Sequence, residues 1–228
     1  MHNTPTDDTT RTALVVFAHH RPDSLTAHIA GLAIRRLSAA GYRIDRLDLH
    51  GEGFDPRMTV ADQPEWGNRE KTYSPEVHDH MRRILAADLI VAVFPVYWVQ
   101  MPALLKGWID RVWNYGFAYG RSAPRLAGKR MLWLGLAGAA DDDGYVELMQ
   151  QSLGPQLNEG IAYYCGLSHS TVGLLTGAED KPQRVDDAGN LVLGEALTGA
   201  AHTAHYEALE RRAMGFVDEL LASAAVAA

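Results

Sequence analysis

Three short apolar runs constrain the fold of this chain more than any other feature of its sequence. They occupy residues 12–18 (TALVVFA), 88–94 (DLIVAVF) and 129–137 (KRMLWLGLA). Each is short and rich in aliphatic side chains, which is typical of a strand buried on both faces of a parallel sheet. Each is followed by a segment with helical spacing of apolar residues. The sequence therefore predicts a doubly wound α/β fold with helices on both faces.

Two further strands complete the predicted sheet. Residues 42–49 alternate between apolar and polar side chains, which predicts a strand near the sheet edge, and residues 168–175 predict the last strand. Ser24 and Ser74 stand at expected helix N-caps, and Gly41 at a helix end. The predicted helices cover about residues 25–40, 75–87, 102–113, 145–151 with a further stretch to 166 after the interruption at 154–155, and 200–221. Residues 50–74 predict a long loop, and residues 177–199 a loop or small hairpin.

Composition limits the classes of function. The 228 residues suit one domain over residues 12–228, after a polar tail of residues 1–11 that we expect to be disordered. A net charge of −7 argues against nucleic acid as the partner. No apolar run reaches the roughly 20 residues that span a bilayer, so we expect no membrane insertion. The single cysteine, Cys165, allows no intrachain disulfide, which fits a cytoplasmic protein.

Three loops leave the carboxyl ends of predicted strands, where open α/β sheets bind ligands. Residues 19–24 (HHRPDS) lead into a helix whose first N–H groups can bind an anion. Residues 95–101 (PVYWVQM) present two aromatic rings, which suit a flat heterocycle. Residues 138–144 (GAADDDG) begin with small side chains that allow close approach of a ligand. Taken singly, these loops are also compatible with a capped helix, an aromatic cover over the sheet end and a plain turn.

A family resemblance connects the three loops. Residues 94–119, FPVYWVQMPALLKGWIDRVWNYGFAY, resemble the NAD(P)H:quinone oxidoreductases of the DT-diaphorase type, including the flavoproteins ancillary to potassium-efflux systems. The opening VVFAHHRPDSL and the YCGL at 164–167 are also similar, so the resemblance covers roughly residues 14–175. It implies a flavodoxin-like sheet of five parallel strands in the order 2-1-3-4-5. It also implies a homodimer and ping-pong transfer of two electrons from NAD(P)H, through bound FMN or FAD, to a quinone or similar small acceptor.

The resemblance also implies the site residues. Those that would hold the flavin are His19, Ser24, Leu25, Thr26, Pro95, Val96, Tyr97, Trp98, Val99, Gly138, Ala139 and Tyr145. The first four would bind the phosphate, the next five would wrap the ring, and the last three would contact its pyrimidine side. Tyr145 would also stabilise negative charge on the reduced ring, and Tyr119 would stand over the ring from the neighbouring subunit. Gln151 occupies the position of a histidine that relays protons in larger members, and glutamine cannot become cationic.

The chain departs from the family pattern at some of these positions. Thr26 replaces an asparagine, and residues 136–139 (LAGA) lack two hydroxyl groups. Arg121 replaces a tyrosine, which favours an anionic acceptor or nucleotide phosphates. The loop at residues 50–74 is long enough to cover an adenine if the cofactor is FAD.

Other functions remain open on the sequence. A nitro- or azo-compound reductase would use the same chemistry on another acceptor. A regulatory flavoprotein would bind flavin and nucleotide to control a membrane transporter, and a flavodoxin would pass single electrons to proteins. No residues have convincing metal-site spacing, because His78 and His80 fall on different sides of a helix and residues 141–143 (DDD) suit a solvated loop.

Several polar and apolar side chains are expected to be structural. We expect Cys165 to be a buried, inert thiol and Trp108 and Trp113 to lie in the core or a dimer interface. His205 is expected to be solvated, and residues 210–212 (ERR) to form an ordinary exposed helix face.

Overall fold

The computed structural model describes residues 11–139, 144–181 and 183–223, apart from the side chains of residues 184 and 185. The predicted tail up to residue 10, the aspartates at 141–143 and the last five residues lie outside the described residues.

One sheet of five parallel strands organises the structure. The strands are β1 (Thr12–Phe17), β2 (Arg43–Asp48), β3 (Leu89–Pro95), β4 (Arg130–Leu136) and β5 (His169–Leu175). Their order is β2-β1-β3-β4-β5, which confirms the predicted flavodoxin-like sheet. β2 lies at one edge, as its alternating pattern predicts. β1, β3 and β4 are interior strands, and their side chains are buried almost throughout.

Helices cover both faces of this sheet. The described residues form α1 (Leu25–Ala39), α2 (Pro75–Ala86), α3 (Ala103–Val112), α4 (Gly144–Gly154), a π-helix (Pro155–Tyr163) and α5 (Gly199–Ala222). α1 and α5 contribute to one buried cluster, and α2, α3 and α4 to the other. The two clusters are separate because successive strand residues point to opposite faces. In β1, Val15 belongs to the α1 side, whereas Leu14 and Val16 belong to the other.

Predicted capping residues set the ends of two helices. Ser24 Oγ accepts the N–H of Ala27 at 3.2 Å at the start of α1. Ser74 caps α2 in the same way, with Pro75 in the first turn. Gly41 follows α1 with a φ of +85°, a conformation that glycine adopts without steric cost. These local signals act as the sequence predicted.

The chain after α4 differs from the prediction. The sequence predicts an interruption at residues 154–155, but the helix continues there as the π-helix. Pro155 has no N–H and so cannot make the usual helical hydrogen bond, and wider hydrogen-bonded turns follow it. Residues 177–199 contain a hairpin of β6 (Gln183–Val185) and β7 (Leu191–Leu193). Asp186 Oδ1 holds its turn by accepting the N–H groups of Ala188 and Asn190.

Two of the structural expectations need correction, and one is met. Arg212 is not part of an ordinary exposed face, because its Nη2 donates to Thr176 Oγ1 at 2.8 Å and ties α5 to the end of β5. His205 is not simply solvated, because its Nε2 atom is buried. Cys165 is buried as expected, and burial raises its pKa to about 11.

No described helix has both the length and the apolar character needed to cross a membrane.

A buried ion pair anchors the long loop at residues 50–74 to α3. Asp62 is completely buried, and its carboxylate accepts hydrogen bonds from Arg111 Nη2 at 2.7 Å and from the N–H of Ser74 at 2.8 Å. Burial disfavours the charged carboxylate, but these bonds outweigh that effect and hold the pKa of Asp62 below 3.8. Tyr73 adds a hydrogen bond from its hydroxyl to the carbonyl of Tyr115 at 2.7 Å. The loop is therefore fixed at several points along its length.

We expect Asp62→Asn to lower the free energy of unfolding by about 3 kcal/mol, because it leaves the guanidinium of Arg111 buried without its main carboxylate. Urea denaturation at pH 7 measures this loss. The folded-state pKa of Asp62 is depressed, so its stabilisation is complete above about pH 4 and is lost as the pH falls further.

The matched control is Asp55→Asn in the same loop, where Asp55 forms an exposed pair with Arg57. This control should leave stability nearly unchanged. Equal losses in the two variants would contradict the anchoring role of Asp62.

Candidate functional site

The first loop presents hydrogen-bond donors at the start of α1. The hydroxyl of Ser24 caps the helix, and the N–H groups of Leu25 and Thr26 have no acceptor among the described residues. His19 Nδ1 accepts the N–H of Arg21 at 3.0 Å, so the proton of the neutral ring is on Nε2. These donors stand at the positive end of the helix dipole. The loop has the geometry of an anion site.

The second loop contains a strained two-residue turn. Tyr97 and Gln100 exchange two backbone hydrogen bonds, of 2.9 and 3.0 Å. Between them, Trp98 has a φ of 51° and Val99 a φ of 64°, as in a type I′ turn. Asn and Gly usually fill such turns, and a β-branched residue there is strained. The N–H groups of Trp98 and Val99 have no acceptor among the described residues.

The third loop follows β4 and leads into α4. Gly138 and Ala139 are half-buried at the end of β4, and residues 140–143 lie outside the described part of the chain. Tyr145 and Met149 are one helical turn apart on α4 and line the same cavity. α4 therefore supplies a wall beside the first two loops.

Two adjoining cavities lie over the three loops. The α1 cavity, of about 330 Å³, is lined by His19, Arg21, Asp23, Ser24, Leu25, Thr26, Pro95, Val96, Tyr97, Leu136, Gly138, Ala178, Glu179, Asp180 and Tyr206. The turn cavity, of about 410 Å³, is lined by Val96, Trp98, Val99, Ala137, Gly138, Ala139, Tyr145, Met149, Gln183, Gly189 and Leu191. They share Val96 and Gly138. Each of the twelve predicted flavin-binding residues lines at least one of them.

The hairpin insert contributes residues that the sequence did not indicate. Glu179 and Asp180 line the α1 cavity, and Gln183 and Leu191 line the turn cavity. A Cβ added to Gly138 would lie 2.8 Å from Glu179 Cγ and 3.3 Å from Gln183 Nε2. Gly138 therefore admits the insert as well as offering room to a ligand. The family resemblance ends near residue 175, before this segment. The sequence therefore predicted only a loop or hairpin here, from its turn residues, and no site residue.

The α1 cavity is rich in carboxylates. Its one arginine, Arg21, is paired with Asp23 at 3.0 Å, and Glu179 and Asp180 add two further negative charges. Burial and the neighbouring His20 lower the pKa of His19. A phosphate in this cavity would be bound by the N–H groups at the start of α1 and repelled by the carboxylates of Glu179 and Asp180.

An insert cavity of about 380 Å³ lies beyond Glu179. It shares Gly138 and Glu179 with the α1 cavity. Lys181, His205 and Arg212 give this cavity basic walls. The α1, turn and insert cavities therefore adjoin one another through shared lining residues, and all three include Gly138. We call them the three connected cavities.

Two of the predicted catalytic residues lie outside these cavities. The ring of Tyr119 packs against those of Trp66, Tyr115 and Tyr164. Burial and the neighbouring Tyr164 raise the pKa of Tyr119. Gln151 is exposed and donates to Glu147 at 2.8 Å, on a different side of α4 from Tyr145. Gln151 lines none of the three connected cavities.

Two other predicted features, the long loop and Arg121, lie away from the three connected cavities. No residue of the loop at 50–74 lines the three connected cavities, so in the described chain this loop does not cover them. Arg121 is engaged in the fold, because its Nη2 donates to Glu70 at 2.6 Å and to the carbonyl of Arg69 at 2.9 Å.

Comparison with known proteins agrees with this fold. A family model for the flavodoxin-like fold matches residues 11–193. An uncharacterised NAD(P)H oxidoreductase of Escherichia coli, YcaK, is 36% identical over 208 residues, which cover 90% of this chain and 96% of that protein. A ribosyldihydronicotinamide dehydrogenase [quinone] of Mus musculus is 30% identical over 176 residues, or 67% of this chain and 76% of the mouse protein.

A solved structure shows the same fold at lower identity. General stress protein 14 of Treponema denticola, crystallised in complex with FMN, superposes with a TM-score of 0.59 at 21% identity. The match covers 92% of this chain and 98% of the other.

The strain in the 98–99 turn leads to a test. We expect Trp98→Asn to raise the free energy of unfolding of the ligand-free protein by about 1 kcal/mol, because asparagine tolerates the positive φ of that position. Trp98 is 97% exposed in the single chain, so little packing is lost at a protein concentration low enough to keep the chain monomeric. Urea denaturation measures the change.

The matched control is Trp66→Ala, which alters an exposed tryptophan with no left-handed backbone. This control should bring no stabilisation. A less stable Trp98→Asn protein would show that the turn is not strained.

Proposed function

The chain belongs to the family of proteins with a flavodoxin-like fold, and we propose that it is a flavoenzyme that passes two electrons from NAD(P)H to a quinone. The names of the Escherichia coli and mouse relatives support a reduced nicotinamide as donor, and the mouse name supports a quinone as acceptor.

The proposal rests on one observation: the α1 cavity and the turn cavity adjoin each other at Gly138. One cavity offers N–H donors and a helix dipole to a phosphate, and the other offers aromatic and apolar walls to a flat ring. A flavin has these two parts joined by a short polar chain. The residues therefore fit the cofactor: the α1 cavity suits its phosphate, and the adjoining turn cavity suits its ring.

We assign the cofactor as FMN. Its phosphate would bind the N–H groups of Leu25 and Thr26 with His19, and its ring would lie against Trp98 and Tyr145. The FMN complex of the Treponema denticola protein supports this choice. FAD would also need a place for its adenylate, and the insert cavity beyond Glu179 would offer one.

The protein residues position the reactants and stabilise charge. The flavin, when bound, supplies the hydride chemistry. The N–H groups of Trp98 and Val99 are donors for polar atoms at the edge of the ring. Tyr145 lines the turn cavity, and its phenolic hydroxyl would stabilise negative charge on the pyrimidine side of the bound ring. Donors preorganised in this way need no rearrangement as charge develops.

A single turn cavity implies ping-pong kinetics. The donor and the acceptor would use the same space beside Trp98, Tyr145 and Met149, so one must leave before the other binds. The nicotinamide product would therefore depart before the quinone arrives.

We further propose a cytoplasmic homodimer. Trp98, Tyr145, Leu148 and Tyr163 are exposed in the single chain, and exposed apolar groups of this size are typical of an interface. A dimer gives Tyr119 a role over the partner's turn cavity, since it does not line its own. The buried thiol of Cys165 suits a reducing compartment.

The proposal predicts a yellow protein that releases FMN on heating. With menadione present it should oxidise NADPH, and reciprocal plots at varied NADPH and quinone should give parallel lines. Light scattering on the same sample should report a dimer. Nitro and azo compounds, tested as alternative acceptors, should turn over more slowly.

Each part of the proposal has its own contrary result. A colourless protein that takes up neither FMN nor FAD would overturn the proposal. Release of FAD would change only the cofactor assignment, and the adenylate of FAD would then be assigned to the insert cavity. Converging lines in the reciprocal plots would exclude a binding space shared by donor and acceptor.

The carboxylates of the insert lead to a second test. We expect Glu179→Gln to bind FMN about fivefold more tightly, or about 1 kcal/mol, because it removes a negative charge beside the phosphate. Fluorescence quenching of FMN by the flavin-free protein measures Kd, and high salt should reduce the difference.

Glu195→Gln is the matched control, since Glu195 is exposed in the segment after the hairpin and lines none of the three connected cavities. It should leave Kd unchanged. Weaker binding by Glu179→Gln would mean that this carboxylate accepts a hydrogen bond from the bound flavin.

A further inference from the structure

A separate cavity of about 280 Å³ lies between the end of the long loop, α2 and the segment after α3. We call it the basic cavity. Five cationic side chains line it, and Glu70 is its one carboxylate. The cations are Arg69, Lys71, Arg82, Arg121 and Arg125.

This concentration of positive charge is unusual in a chain of net charge −7. Arg121 is neutralised by Glu70 at 2.6 Å, and Arg82 pairs with Asp79 outside the lining. Among the described residues, no carboxylate forms an ion pair with Arg69, Lys71 or Arg125. Lys71 Nζ donates to the carbonyl of Gln63 at 2.7 Å and Arg69 Nε to that of Gly120, but neither bond neutralises a charge. The positive charges of these three side chains are thus available to an anionic ligand.

The fold holds the cationic walls in place. Gly116 has a φ of +81°, and a Cβ there would lie 2.3 Å from the carbonyl oxygen of Arg69. Arg121 Nη2 donates to the same carbonyl at 2.9 Å, and Arg69 Nε donates to the carbonyl of Gly120. Contact between Gly116 and the carbonyl of Arg69, together with these side-chain-to-backbone hydrogen bonds, therefore ties residue 69 to residues 116–121. The fold thus fixes the backbone around the cavity, whereas the side chains of Arg69, Arg82 and Arg125 are exposed at its mouth.

Aromatic side chains form the remaining walls. Tyr73, Tyr115 and Phe117 are each less than a tenth exposed and line the cavity. They offer apolar contact to a flat base beside the cations. Such a combination suits a nucleotide better than an inorganic ion.

The basic cavity adjoins Tyr119. The ring of Tyr115 lines the cavity and contacts the ring of Tyr119 in an edge-on arrangement, with 5.8 Å between centroids. In the proposed dimer, Tyr119 stands over the partner's flavin, where the nicotinamide of the donor would lie. The other end of the same donor would then reach the basic cavity of the chain that supplies Tyr119.

We propose that the basic cavity binds the adenosine end of NADPH, with its 2′-phosphate on Arg125, Arg69 and Lys71. This inference rests on the proposed function, because it names the donor of that same site. Under this proposal, a preference for NADPH over NADH depends on residues outside the three connected cavities.

The test begins with direct binding, which needs no turnover. Calorimetry on the purified protein should show that 2′,5′-ADP, the adenosine end of NADPH, binds more tightly than 5′-AMP. Arg125→Gln should weaken the binding of 2′,5′-ADP by about fivefold or more, since a charge-assisted contact is lost. Arg211→Gln, at an exposed arginine on α5 that lines none of the described cavities, should leave it unchanged.

Kinetics supply the second readout. Dihydronicotinamide riboside has no adenosine phosphates, so it cannot use the basic cavity. Arg125→Gln should lower the ratio of kcat/KM for NADPH to that for the riboside by the same factor as the binding loss. Arg211→Gln should not change this ratio.

The outcomes separate the two proposals. Unchanged binding of 2′,5′-ADP in Arg125→Gln, or an unchanged ratio in an active enzyme, would overturn the assignment of the basic cavity alone. A colourless protein that still binds 2′,5′-ADP through Arg125 would overturn the proposed function and leave the nucleotide site standing.

Discussion

Hydrogen bonding between parallel strands is the constraint on which the candidate site depends. Because all five strands run the same way, their carboxyl ends meet at one edge of the sheet. The order β2-β1-β3-β4-β5 places β1, β3 and β4 side by side, so the loops that follow them converge. Residues 19, 98 and 138, far apart in the chain, come to line connected spaces. The site is thus a consequence of strand direction and order.

Many of the hydrogen-bond donors in this site are backbone N–H groups. The N–H groups at the start of α1 and in the 98–99 turn have no acceptor in the part of the chain that the structure describes, so they are available as donors, and the strained turn presents two of them. This explains how the chain tolerates Thr26 and the missing hydroxyls of residues 136–139. The donors that matter belong to the main chain, which substitution of a side chain does not remove.

Charge is distributed unevenly around the site. The insert places Glu179 and Asp180 in the α1 cavity, whereas cations gather in the basic cavity on the far side of Tyr115. The carboxylates oppose a phosphate in the first space, and the cations attract one in the second. Under the two proposals, backbone donors would hold the cofactor in one space and arginines would hold the cosubstrate in another. The buried Asp62–Arg111 pair fixes the loop that forms one wall of the basic cavity.

The sequence by itself determined the strands, the capped helices and the three loops, because each depends on local patterns such as the run at 88–94 and the cap at Ser74. The residue pattern at 94–119 also indicated the family. Only the tertiary structure decided where Glu179 and Gln183 lie and that Arg69, Arg82 and Arg125 share one cavity. The physical reason is that these side chains meet through packing between distant segments. Such packing is the sum of many weak contacts, and no short stretch of sequence records it.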